Sequence, residues 1–405
     1  MPKLRTVTEF RCENCVPQEG VWLGRVWLPR ALAHKQIAGP HVVSIDRGTV
    51  YDLSERFLTT SEVLALDDPV AALETAPRRP IGKLDELLEG SLFHQFGGRI
   101  ANAGHAVLLS PCDLAAVKAC GVTFVRSLLE RVIEERTRGD RAQADLLRGL
   151  ILESLGGSLR DVNPGSEQAM ALKARLQAEG IWSQYLEVGI GRDAEVFTKN
   201  QPTATVGFGA QVGVLADSAW NNPEPEVVLA VSPTGKIQGA TLGNDVNLRD
   251  YEGRSALLLG EAKDQNGSCA IGPFIRLFDG DFTLADVERA DVSLQISGED
   301  GFELLDASRM TEISRSPASL VAQVCSGNHQ YPDGFMLFLG TMFAPTKDRG
   351  AAGQGFTHHV GDRVEIASPK LGRLVNWVSH CDQIPPWEFG LRAYLDFALQ
   401  RATAD

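Results

Sequence analysis

The sequence predicts a β-rich α+β protein with a small N-terminal domain, a larger second domain and a helical insert in the larger one. Three observations point there. Forty glycines and twenty prolines among 405 residues require many turns. Helical periodicity is concentrated between residues 125 and 180. After Gly189 the chain becomes a series of short strand-like runs separated by turn residues. At this length one ordinary compact core is exceeded. The composition, 43% hydrophobic and 22% charged, is that of a folded protein.

Residues 1–105 form the expected small domain. Runs 20–26 and 41–45 read as strands, 61–66 and 69–73 as short helices, and Arg78-Arg79-Pro80 as a linker. The larger domain, 106–405, opens with a run over 115–124 that ends strand-like. Over 128–138, Leu128, Leu129, Val132 and Ile133 share one helical face with charges opposite. Helical patterning continues over 142–155 and 166–179, with Gly156-Gly157 and Gly180 as stops. The polar, glycine-bounded stretch 139–180 suits a lid or a static helical layer equally. Strands are then expected at 195–197, 204–208, 227–231, 237–241, 292–296, 335–340, 363–367 and 372–378. Helices are expected at 285–289 and 310–324.

A net charge of −13 argues against a nucleic-acid partner, which needs clustered Lys and Arg, but leaves room for a small anion in a local basic pocket. No apolar run approaches the roughly 18 residues of a membrane span, and the first residues lack the apolar stretch of a signal peptide. The expected location is cytoplasmic. Seven scattered cysteines fit free thiols. The Cys12/Cys15 pair has no second pair or histidines to complete a zinc site. His329, His358, His359 and His380 invite a metal argument, but 355–361 is loop-like, so the 358–359 pair is expected at the surface or the mouth of a pocket.

The segment Asn221-Asn-Pro-Glu224-Pro-Glu226 carries the chemistry. Glu224 and Glu226 are two apart, so a strand puts both on one face. Pro225 between them cannot donate to a ladder, which marks a strand beginning or an edge. Two carboxylates on one face repel unless one is protonated or a cation lies between them. A hairpin return would add Asp245, from Gly243-Asn-Asp245-Val-Asn-Leu-Arg249-Asp250. Three oxygen donors suit Mg²⁺, Mn²⁺ or Ca²⁺. Solvated surface carboxylates are the plainer alternative in so acidic a chain.

From about residue 120 to 378 the sequence resembles the fumarylacetoacetate hydrolase superfamily. The resemblance rests on Glu224-Pro-Glu226, on Gly239 followed by Asn244-Asp245 and Arg249-Asp250, on Lys263 leading to Gly272-Pro273, and on Phe197-x-Lys199. It implies a mixed β-roll core in the larger domain. It also implies Mg²⁺ or Mn²⁺ held by Glu224, Glu226 and Asp245, and a dimer or tetramer acting on a 2-keto or dicarbonyl compound. The finer resemblance, over 121–124, 182–189, 220–226 and 340–345, is to the longer members that dehydrate 2-keto-3-deoxy-pentonates in oxidative pentose degradation. The hydrolases and decarboxylases of the family carry a helical His-x-x-Glu dyad. Counted from Phe124, its positions here are Ser127 and Glu130, so the water-activating histidine is absent.

The resemblance implies a division of labour. The cation polarises the keto oxygen of a 2-keto sugar acid, a proton leaves C3 and the C4 hydroxyl departs, giving 2-oxoglutarate semialdehyde. Glu130 is the expected acid or base; its alternative is a solvated glutamate on the charged face of 130–135. Lys199 and Lys263 would balance the negative charge. Ser268 and Thr341 would hydrogen-bond substrate, or serve as plain turn residues. Arg249 and Asp250 would order the ligands from behind. A 2-keto acid decarboxylase or acylpyruvate hydrolase, and a non-catalytic sugar-acid or metal-binding protein, are the competing functions.

Overall fold

The computed structural model describes residues 5–94, 99–124, 128, 132, 162–180, 182–343, 345, 347–349 and 355–404. Among these, ten strands form one path through a large mixed sheet. Its order is Arg79–Lys83, Thr49–Asp52, Gly39–Asp46, Trp22–Leu28, Cys269–Leu277, Ile237–Asp245, Pro225–Val231, Phe335–Phe338, Ala116–Gly121 and Glu195–Asn200. Val107–Leu108 joins at the side of Trp22–Leu28. Every neighbour along this path is antiparallel except Phe335–Phe338 on Ala116–Gly121.

A second sheet runs Glu303–Arg309, Asp291–Ser297, Arg363–Ser368, Gly372–His380, Gln211–Val214. It packs on one face of the first. Val227, Leu229, Leu242 and Phe274 meet Leu294, Ile366, Leu374 and Trp377 in the main core. Val228, Ala230, Ile271 and Phe338 point the other way, toward Val63 and Leu73 of the short helices Thr60–Leu64 and Pro69–Thr75. Both faces of the central strands are therefore buried, which is why 227–231 reads as an unbroken apolar run. The β-rich α+β architecture and its roll of mixed sheet follow.

The sheet does not stop at residue 105. Trp22 and Leu23 pair with Arg276 and Ile275, so strands from 1–105 extend the sheet that carries the later ones. The helix predicted over 166–179 is Glu167–Ala178. The Ser166 hydroxyl accepts from the Ala169 N–H at its start, and Gly180 at φ +69° closes its end. The rest of the helical insert, and the patterned stretches 129–138 and 142–155, lie outside the described residues apart from Val132.

Three expectations differ. The linker at 78–80 is the start of the strand Arg79–Lys83, the last of the large sheet, where Pro80 sits in an edge position that tolerates it. The strand expected over 204–208 is a 3-10 turn, Pro202–Ala204, followed by a single bridge from Val206 to Ala270. The helix over 310–324 is broken into Met310–Glu312 and Pro317–Val324. Pro317 holds the residue before it extended, and the Ser316 hydroxyl caps the second piece by accepting from Ser319 N–H.

Candidate metal centre

Pro225 is the first residue of its strand, and the register pairs it with Asn244 and Glu226 with Gly243. Just beyond that end, the Asp245 N–H donates to the Glu224 carbonyl at 3.0 Å, and the Glu224 N–H donates to Asn244 Oδ1 at 3.1 Å. The hairpin thus opens at 224 and 245, opposite its turn at 232–236. Glu224, Glu226 and Asp245 are buried there, each with a carboxylate oxygen within 4.8 Å of the others.

Two buried lysines face them. Lys263 ends the short helix Leu259–Lys263; its ammonium pairs with Glu224 Oε2 and lies 3.0 Å from Asp245 Oδ2. Lys199, in the strand Glu195–Asn200, lies 3.0 Å from Asp245 Oδ1 and donates to the Val246 carbonyl at 3.3 Å. Three carboxylates against two ammonium groups leave one negative charge over. Glu226 is the carboxylate left without a counter-charge: burial, then the Asp245 and Glu224 charges, push its carboxyl well above the usual range, and Lys263 and the Gly340 N–H at 2.7 Å do not offset them. Burial alone would lower Lys263, but Asp245 and Glu224 outweigh it and raise it.

A buried all-oxygen donor set with surplus negative charge fits a hard divalent cation, whose charge would offset the repulsion among the three carboxylates. The residues that could hold it are Glu224, Glu226 and Asp245.

Of the remaining sites expected from sequence, Ser268, Thr341, Arg249 and Asp250 fall around this hairpin. Ser268 is buried, and its hydroxyl is spent on the lysine turn: it donates to the Lys263 carbonyl at 2.8 Å and accepts from Gln265 N–H at 3.0 Å and Lys199 at 3.3 Å. The Thr341 hydroxyl lies 3.4 Å from the Pro225 carbonyl and accepts from Phe343 N–H at 3.2 Å. The Arg249 guanidinium lies over the Trp220 ring, 4.6 Å from its centre. Asp250 accepts from Ser218 Oγ and Ala219 N–H, both at 2.8 Å, and so shapes the approach to Asn221. Glu130 lies outside the described residues. His359 is exposed as expected, but His358 is buried, with Nδ1 3.2 Å from Asp362. The cause is a second ion cluster, in which Asp362 serves both His358 and Arg349.

Sequence reasoning did not single out Asn247. Its side-chain amide donates to Glu224 Oε1 at 2.9 Å and to Glu252 Oε2 at 2.6 Å. The available signal was a polar amide within a strand-like motif otherwise assigned to ligands.

The chain matches the sequence profile of the fumarylacetoacetate (FAA) hydrolase C-terminal family over residues 192–379. That span contains Lys199, Glu224, Glu226, Asp245 and Lys263. It is 33% identical over 181 residues to a 2-dehydro-3-deoxy-D-arabinonate dehydratase of Saccharolobus solfataricus, an alignment covering 45% of this chain and 57% of that protein. It is 32% identical over 210 residues to a probable 2-keto-3-deoxyxylonate dehydratase of Haloferax volcanii, covering 51% of this chain and 68% of that one. The match thus spans little more than half the length of the first of these relatives. Among solved structures, the apo form of a 2-keto-3-deoxy-D-arabinonate dehydratase aligns with a TM-score of 0.60 at 20% identity, over 89% of this chain and 99% of that one. A 2-keto-3-deoxy-D-arabinonate dehydratase complexed with magnesium and 2,5-dioxopentanoate aligns with a TM-score of 0.58 at 21% identity and the same coverage. At these identities the likeness is one of fold.

Proposed function

The chain belongs to the fumarylacetoacetate hydrolase family, and we propose that it is a Mg²⁺-dependent hydro-lyase that dehydrates a 2-keto-3-deoxy-pentonate, from D-xylonate or D-arabinonate, to 2-oxoglutarate semialdehyde. The observation that carries this is the buried meeting of Glu224, Glu226 and Asp245 within 4.8 Å, faced by Lys199 and Lys263. The names of the two relatives support the same substrate class. We further take the enzyme to act in the cytoplasm as a homodimer or homotetramer. Among the described residues no helix is long and apolar enough to cross a membrane.

When bound, the cation supplies Lewis acidity to the keto oxygen and balances the substrate carboxylate. Glu224, Glu226 and Asp245 hold it, and Lys263 fixes the spacing of Glu224 and Asp245 by donating to both. Lys199, anchored on the Val246 carbonyl and Asp245, keeps a positive charge beside the oxygen that becomes negative as C3 loses its proton. Glu130 is our assignment for moving that proton, and for protonating the C4 hydroxyl as it leaves as water. A later proton shift from C5 to C3 gives an enol, which ketonises to the C5 aldehyde. Ser268 acts from behind, holding the lysine turn, and Thr341 is the hydroxyl we assign to substrate.

The test is incubation of the purified chain with Mg²⁺ and 2-keto-3-deoxy-D-pentonate, with oxaloacetate and acylpyruvates in parallel. The expected outcome is semialdehyde from the pentonate, abolished by a chelator and restored by Mg²⁺. Turnover of oxaloacetate or an acylpyruvate alone would move the assignment to the decarboxylases or hydrolases.

A further inference from the structure

The cation site contains a relay that sequence motifs do not reveal, running from Glu224 through Asn247 to Glu252. Asn247 is completely buried, and its backbone is fixed in the two-residue ladder Asn247–Leu248 on Asn221–Asn222. Its amide nitrogen has two hydrogens, and each goes to a carboxylate: one to Glu224 Oε1 at 2.9 Å, the other to Glu252 Oε2 at 2.6 Å. Turning the amide over would put Oδ1 against two acceptor-only groups, so the orientation is enforced. Glu224 thereby has a donor on each oxygen, Asn247 on Oε1 and Lys263 on Oε2. A carboxylate gripped at both oxygens cannot rotate about its terminal bond. Glu252, half-buried on the short helix Arg249–Glu252, holds the far side of the amide.

We propose that Asn247 is a positioning residue for the cation: its amide fixes the Glu224 carboxylate in the ligating orientation, and Glu252 anchors that amide from the opposite side. The inference rests on Glu224, Glu226 and Asp245 being the cation site. Partners that orient a metal ligand through a hydrogen bond typically contribute about ten- to a hundredfold to metal affinity. Asn247→Leu keeps the size and removes the donor without adding a charge. Glu252→Ala removes the anchor at a half-exposed position.

The experiment is calorimetric titration of the substrate-free full chain with MgCl2, paired with melting of the metal-free protein. Asn247→Leu is expected to raise the Mg²⁺ dissociation constant at least about tenfold, and Glu252→Ala severalfold. Adding Glu252→Ala to Asn247→Leu should cost less than Glu252→Ala costs the parent, because the contact to the amide is then already gone. A space-filling role for Asn247 would lower the melting temperature and leave Mg²⁺ affinity alone. If Asn247→Leu does not fold, Glu252→Ala decides by itself. A parent that binds Mg²⁺ and variants within twofold of it overturn this inference alone; a parent that binds no Mg²⁺ overturns the cation site and this inference with it.

Discussion

At the scale of single residues, the three carboxylates are not equivalent. Glu224 is held by Lys263 and Asn247, whereas Glu226 has the Gly340 N–H and lies in the field of two like charges. Their neutral replacements are therefore expected to act in opposite directions on the metal-free protein. Glu226→Gln removes a repelled buried acid and keeps an acceptor for Gly340, so it should stabilise the fold by about 1 kcal/mol. Glu224→Gln leaves the buried Lys263 ammonium short of a charge partner and should destabilise by about 1–3 kcal/mol. Both should lose Mg²⁺-dependent turnover. Denaturant melts without metal, beside activity with it, check the pair; a destabilised Glu226→Gln would contradict the charge balance described above. The meeting of the three carboxylates was legible because they sit in contiguous motifs whose spacing implies a strand and its return. The tasks of Asn247 and Ser268 were not, because each depends on partners that spacing does not locate: Glu252 for the first, the Lys263 carbonyl for the second.

At the scale of elements, the hairpin Pro225–Val231 and Ile237–Asp245 is what brings the three carboxylates together, and its fit against Phe335–Phe338 fixes where they arrive. Gly243 is the tight point. A Cβ there would come 2.3 Å from the Phe338 ring and 2.6 Å from Val228. Gly243→Ala is expected to cost about 1–3 kcal/mol by forcing that ring aside, and to weaken Mg²⁺ binding because Asp245 lies two residues on. Equilibrium unfolding and metal titration of the variant give the two numbers. Apolar strands such as 227–231 were readable since both faces are buried, and Glu167–Ala178 since its cap and stop are local. The terminal helix Leu391–Thr403 was missed for a physical reason: Leu391, Leu395 and Leu399 are 59%, 64% and 64% exposed, so its apolar spacing does not mark the buried face. Arg79–Lys83 was missed because Pro80 and Gly82 look like a linker, a pattern that only an edge strand accommodates.

At the scale of the whole molecule, the second sheet is tied to the carboxylate hairpin through a cluster remote in sequence. Asp362, at the start of Arg363–Ser368, is fully buried and binds Arg349 Nη2 at 2.8 Å, while His358 Nδ1 lies 3.2 Å away. Arg349 also reaches Asp300 at 3.0 Å, and the His358 N–H donates to Asn221 Oδ1 at 3.3 Å, three residues before Glu224. Burial pushes the Asp362 carboxyl up, but hydrogen bonds from His358 and Arg349 outweigh it and hold the group at about 2, below the usual 3.8. A carboxyl whose folded-state pKa is lowered stabilises the fold fully above its unfolded value, and loses that contribution as pH falls through the folded value. Asp362→Asn should then cost about 3 kcal/mol at pH 7, because it leaves the buried Arg349 with Asp300 alone. The gap between parent and variant should stay constant down to about pH 5 and close between about pH 4 and 2. Denaturant midpoints of both proteins across that range measure it. A gap that stayed open through that range would take the acid-sensitive contact away from Asp362, and with it the charge that ties the sheet to the loop beside Asn221.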